Sequence, residues 1–109
     1  MGRFIKGDVV ITPFPFSDLT GDKKRPALVV AILKGDDVIL SLITSQNARD
    51  EYSISLSNAD FANGSLKKNS NIRPNRVFTA DSGIILYRIG TLQNSKFEEV
   101  TAKIIEIFS

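Results

Sequence analysis

Three short segments of this 109-residue chain carry side chains suited to holding phosphate. Arg25 stands directly before Pro26, which disfavours helix and keeps the arginine backbone extended; a planar guanidinium held that way makes two parallel hydrogen bonds to a phosphate. Thr44-Ser45-Gln46 ends an apolar run abruptly with hydroxyl and amide donors. Arg73-Pro74-Asn75-Arg76 sets two cations in a rigid, extended segment, a way to position phosphates along a single strand. Lys23 and Lys24 make three cations in a row with Arg25, and Phe14-Pro15-Phe16 offers aromatic faces on which bases stack. Each feature also has a plainer reading: a solvated charge, a strand end capped by its own side chains, an edge strand protected by charge and proline, and phenylalanines plugging a barrel end.

What the chain lacks narrows the chemistry. It has no histidine, the side chain that most often acts as an acid or base near neutral pH, and no cysteine for a thiolate metal site or a disulfide. Catalysis is left to carboxylates, Arg, Lys, hydroxyls and Tyr. Asp8, Asp18, Asp22 and Asp81 lie in loops and turns and read first as turn formers. No spaced acidic cluster points to a metal, and no cofactor is expected. Fourteen cations against twelve anions give a net charge of +2, too little by itself to argue for nucleic acid, although Lys67, Lys68, Arg73 and Arg76 fall in a stretch without an acid. No apolar run approaches the ~20 residues of a membrane-spanning helix, and Arg3 to Asp8 is too polar for the core of a signal peptide, so a cytoplasmic protein without membrane contact is expected.

The elements that must position these residues are mostly strands. Val9 to Thr12 is β-rich and closed by Pro13; Pro26 to Ile32 and Val38 to Ile43 form a hairpin around Gly35-Asp36-Asp37. Tyr52-Ser53-Ile54-Ser55-Leu56 alternates with period two, which puts Tyr52, Ile54 and Leu56 on one face. Ser57 to Asn71, with Asn63-Gly64 and Asn69-Ser70-Asn71, reads as loop with one helical turn around Ala59 to Ala62. Ile72 to Thr79 and Ile84 to Gly90 add two strands. Ser95-Lys96-Phe97-Glu98 fits a capping box, opening a helix whose stripe of Phe97, Val100, Ile104 and Ile107 faces the sheet, widened by Ile105 and Phe108. The expected architecture is mainly β (α+β): residues 1–109 as a single domain, a small barrel of about six strands with a C-terminal helix, with an αβ sandwich as the alternative. The long segment between the first two strands exceeds what a turn needs, as functional loops often do.

Four motifs in order, KGDVVITPFPFSD, KKRPALVV, SLITSQ and NIRPNRVFT, resemble the MazF and PemK family of toxin endoribonucleases from type II toxin–antitoxin systems, over nearly the whole chain. The resemblance implies an SH3-like barrel acting as a homodimer. It also implies metal-independent, sequence-specific cleavage of single-stranded RNA, in which a 2′ hydroxyl attacks the neighbouring phosphorus and leaves a 2′,3′-cyclic phosphate and a 5′ hydroxyl. The family's catalytic Arg of the RP motif and Thr of ITSQ map onto Arg25 and Thr44. Arg25 is thereby expected to neutralise the phosphorane and protonate the leaving oxygen, with Thr44 bonding a phosphate oxygen and Ser45 beside it. Phe14, Phe16, Lys23, Lys24, Gln46, Arg73, Asn75 and Arg76 are the expected RNA contacts.

One branch of the family uses an Arg-x-Asp pair on a later strand as acid and base, and here the aligned triplet is Arg73-Pro74-Asn75. Either another group serves as base, such as a loop carboxylate or a phosphate-held water, or the alignment slips by a residue or two. The same resemblance makes Phe14 to Lys24 a lid over the RNA and predicts a cognate antitoxin whose acidic tail occupies the groove. The competing expectation is a noncatalytic barrel that binds RNA or an acidic peptide.

Overall fold

A computed structural model of the protein describes residues 4–13, 24–45 and 50–109. Phe14, Phe16, Lys23 and Gln46, and with them the expected lid, lie outside the described residues. Among the described residues, seven strands and one α-helix follow in order: β1 (Asp8–Pro13), β2 (Lys24–Ile32), β3 (Asp37–Thr44), β4 (Ile54–Leu56), β5 (Phe61–Gly64), β6 (Ser70–Asp81), β7 (Tyr87–Leu92) and α1 (Asn94–Phe108). The pairings are antiparallel, in the sheet order β4-β6-β3-β2-β1-β7-β5.

The sheet curls into a half-barrel because one of its faces encloses a core fed from both edges. Ile54 and Leu56 of β4 and Phe61 of β5 share a cluster with Val9, Leu28, Ile43, Ile72 and Leu92, and Val100 of α1 completes it. Period-two alternation sends the intervening residues to the other face, where Val10, Ala27, Val29, Val38, Leu40, Ala80 and Ile85 form a second cluster under Phe4 and Phe78. The central strands are therefore covered on both faces, which explains their nearly unbroken apolar runs.

β5 is the strand the sequence does not announce. Phe61-Ala62-Asn63-Gly64 has the composition of a turn, and the helical content expected at Ala59 to Ala62 is a 3₁₀ turn at Asn58–Asp60 instead. The strand exists because its backbone fits against β7: Gly64 pairs with Gly90 and takes φ +80°, and a Cβ on Gly64 would collide with the Ile89 carbonyl and the Gly90 Cα. Tyr52 departs from expectation in the other direction, lying in a turn before β4 and 37% exposed, while Ile84 sits in a 3₁₀ turn before β7.

The helix begins at Asn94 rather than on a Ser95 cap. Its N-cap is Gln93, whose backbone amide donates to the Asp60 carbonyl and whose side chain reaches the Ala59 carbonyl at 3.0 Å. Tertiary bonds to the segment entering β5 thus fix the start of α1, and Ser95 falls inside the first turn. A capping-box arrangement occurs instead at Ser57 and Asp60, where the Ser57 amide donates to the Asp60 carboxylate at 2.9 Å. Val100 is buried and Phe97 and Ile104 pack on the first core, as the stripe predicts. Ile105 and Phe108 do not widen it: they are 65% and 76% exposed and edge a shallow apolar groove shared with Val30, Ile39 and Val77.

Asp8 does more than form a turn. Its carboxylate is fully buried, accepting from the Ile5 amide at 2.9 Å and from the Thr91 hydroxyl at 2.8 Å, with the Arg88 guanidinium 3.8 Å away. It joins the turn that precedes β1 to Thr91 on the neighbouring strand β7.

Candidate functional site

Cross-strand partners in an antiparallel sheet share a face, so register decides which polar side chains meet. Thr12 of β1 pairs with Arg25 of β2, and Thr44 of β3 pairs with Asn71 of β6, which also pairs with Ser55 of β4. The β2–β3 ladder pairs Ala27 with Leu42; continuing that register two residues brings Arg25 opposite Thr44. The result is one polar row, Thr12, Arg25, Thr44, Asn71 and Ser55, across five neighbouring strands at about 5 Å per step. It lies on the face of the second core and just past that core's end. Thr12 is 1% exposed, and Arg25 and Thr44 are half-buried.

Arg25 is therefore a strand residue, not the end of a loop. Pro26, which follows it, is itself in the β1–β2 ladder opposite Ile11. Arg73 sits two residues beyond Asn71 on β6, on the same face, opposite Leu42. Its carbonyl accepts from the buried Ser41 hydroxyl at 2.8 Å. Ser45 follows the end of β3 and is exposed, and Lys24, paired with Pro13, is exposed beside Arg25.

Asn75 and Arg76 do not join the row. The β3–β6 register jumps between Ser41, which faces Val77, and Leu42, which faces Arg73, so Pro74, Asn75 and Arg76 have no partner on β3. The cause is local: Pro74 is fully buried and has no amide to donate, so the ladder breaks there as a bulge. Asn75 and Arg76 are left exposed on it.

Besides Thr12, Asn71 and Ser55 in the row, the structure adds Asp50, which the sequence does not single out. The Asp50 carboxylate accepts from the Tyr52 amide at 3.1 Å and the Ser53 amide at 2.9 Å through one oxygen, and pairs with Arg73 Nη2 at 2.5 Å through the other. Burial works to raise its pKa, but the Ser53 and Tyr52 amides and the Arg73 charge outweigh this and hold the carboxyl below the usual range. An aspartate two and three residues ahead of the amides it accepts is a recognisable turn signature. Its pairing with a residue 23 positions away left no mark in the sequence. Among the described residues, no three His, Cys, Asp or Glu side chains are grouped to hold a metal ion, and no helix is long and apolar enough to cross a membrane.

Comparison with known proteins gives this geometry a context. Residues 5–108 match a family model described as PemK-like, MazF-like toxin of type II toxin–antitoxin system. Among solved structures, an endoribonuclease in complex with its cognate antitoxin from Mycobacterial species superposes with a TM-score of 0.75 at 10% identity, over 96% of this chain and 94% of that one. The Mycobacterium tuberculosis toxin MazF-mt6 gives a TM-score of 0.72 at 19% identity, over 93% and 95% of the two chains. At such identities the likeness is one of fold. No curated protein matches the sequence.

Proposed function

The chain belongs to the PemK-like, MazF-like toxins of type II toxin–antitoxin systems, a family of endoribonucleases, and from that premise we propose that it cleaves single-stranded RNA at specific sequences without a metal. The observation that carries this reading is the row in which the β2–β3 register brings Arg25 opposite Thr44 on one face, with Arg73 on the same face of β6, two residues beyond Asn71. Two guanidiniums and a hydroxyl on neighbouring strands suit one anionic centre, and rigid strands hold such a group better than loops do.

In this reading the 2′ oxygen of one nucleotide attacks the adjacent phosphorus, its proton passes to a base, and the bond to the 5′ oxygen breaks. Arg25 offsets the charge that builds on the phosphorane and delivers a proton to the departing 5′ oxygen. Thr44 donates its hydroxyl to a nonbridging oxygen. The products are a 2′,3′-cyclic phosphate and a 5′ hydroxyl, the proton of the 2′ oxygen passes to a loop carboxylate or to a phosphate-held water, and no metal is needed. Ser45, Lys24 and Arg76 contribute contacts along the strand, and the base is not Asn75, whose amide does not take up a proton at neutral pH.

The same reading makes the protein a cytoplasmic homodimer neutralised by a cognate antitoxin whose acidic segment competes with RNA for the row. A noncatalytic RNA-binding barrel is the alternative, favoured by the amide at position 75. Incubating the purified protein with a long mixed-sequence RNA in EDTA separates the two. Discrete fragments ending in cyclic phosphate support cleavage; retention of the RNA with no fragments supports binding alone.

A further inference from the structure

Arg73 is fixed at both ends of its side chain. Its backbone is pinned by the Ser41 hydroxyl on its carbonyl and by buried Pro74 immediately after it. Its guanidinium is pinned by Asp50, and Asp50 is in turn oriented by the Tyr52 and Ser53 amides. The β4–β6 pairing of Ile54 with Ile72, continued by one residue, brings Ser53 opposite Arg73, so the Asp50 turn is attached to the strand beside the arginine it holds.

Stability does not account for this arrangement. The pair is partly open to solvent, with side-chain exposures of 16% for Arg73 and 33% for Asp50, and ion pairs of that kind contribute little. Arg73 Nε is buried with no hydrogen-bond partner among the described residues, a cost that a purely structural arginine would avoid. The pair with Asp50 runs through Nη2. A flexible side chain held this way has already lost the rotamer freedom that binding a phosphate would otherwise cost.

We propose that Asp50 is a positioning residue that fixes the Arg73 guanidinium on the RNA-cleaving face, leaving Nη1 to bond a phosphate of the bound strand. The proposal rests on the endoribonuclease reading above. Asp50 acts through Arg73 and not as a base: both of its oxygens are engaged, and a carboxyl held below the usual range is a poor proton acceptor.

The test compares wild type, Asp50→Asn, Arg73→Ala and the double variant. Each is assayed on an oligoribonucleotide spanning a site mapped beforehand on a mixed-sequence RNA, with melting temperature measured alongside. The ¹⁵N–¹H signal of the Arg73 Nε–H group is recorded for wild type and Asp50→Asn. Asp50→Asn is expected to lower kcat/KM by up to about a hundredfold, the scale of a misplacement of roughly 1 Å, and to shift or broaden the Arg73 signal. The double variant should be no slower than Arg73→Ala, because Asp50 has no route to the substrate except that arginine. If Asp50→Asn fails to fold, Asp50→Glu, which keeps the charge and moves it by one methylene, is read the same way. An active wild type with equal slowing by Asp50→Asn in both backgrounds, or with an unchanged rate or an unchanged Arg73 signal, overturns the proposal alone. A wild type that leaves RNA intact overturns the endoribonuclease reading and the proposal with it.

Discussion

Thr12 and Arg25 face each other across the β1–β2 ladder, the threonine buried and the arginine half-buried at its side. Arg25 therefore leaves the sheet from a paired backbone, and its neighbour on that side is packed core. On the other side the same register brings Thr44, then Asn71. The candidate chemistry is thus a property of strand alignment, and changes in the barrel that shift the register should disturb it without touching any of these residues.

Gly64→Ala tests the closest backbone approach in that barrel. The left-handed φ at Gly64 and the collision of an added Cβ with β7 predict destabilisation of more than about 1 kcal/mol, with faster amide exchange across Phe61–Gly64 than in β2 or β3. A melting curve matching wild type would show that β5 is not held against β7 in this way.

Asp8→Ala removes a buried acceptor from two donors at once. Leaving the Ile5 amide and the Thr91 hydroxyl without it should lower stability by about 2 kcal/mol, read by chemical denaturation at neutral pH. An unchanged midpoint would mean that the turn before β1 is secured by other contacts.

Acid should separate Asp50→Asn from wild type in a defined direction. The folded-state carboxyl is held below its ordinary value of about 3.9, so its contribution is complete above that value and is lost as pH falls through the lower folded-state value. Wild type should melt slightly higher than Asp50→Asn at pH 7, and the small gap should close only below the ordinary aspartate range. A gap that is constant with pH, or that widens in acid, contradicts the Ser53 and Tyr52 amides and the Arg73 charge as its source.

Much of this arrangement was legible in the residues, for identifiable reasons. β1, β2 and β3 are aliphatic runs rich in β-branched residues, and β6 is marked by Ile72, Val77 and Thr79 around its proline. The stripe of Phe97, Val100 and Ile104 gave the packed side of α1 from period alone. What escaped depends on partners remote in sequence. β5 is a strand because two glycines let it approach β7, α1 starts at Asn94 because Gln93 is tied to the Asp60 region, and Asp50 matters because Arg73 ends beside it. Asn75 was placed on the site by the Arg-x-Asp alignment; buried Pro74 instead carries it out of the ladder on a bulge. Ser41, a hydroxyl within an apolar strand, was the one overlooked signal for the anchoring of Arg73.

Whether Arg25 and Thr44 together carry out metal-independent RNA cleavage is decided by the cleavage rates of Arg25→Ala and Thr44→Ala beside wild type in EDTA. Wild type should cut mixed-sequence RNA to fragments bearing 2′,3′-cyclic phosphate. Arg25→Ala, with an unchanged melting temperature, should be at least about a hundredfold slower, the scale of losing a transition-state donor, and Thr44→Ala should be slowed in the same direction. Both variants cutting at the wild-type rate, or wild type cutting only when metal is added, would contradict the account.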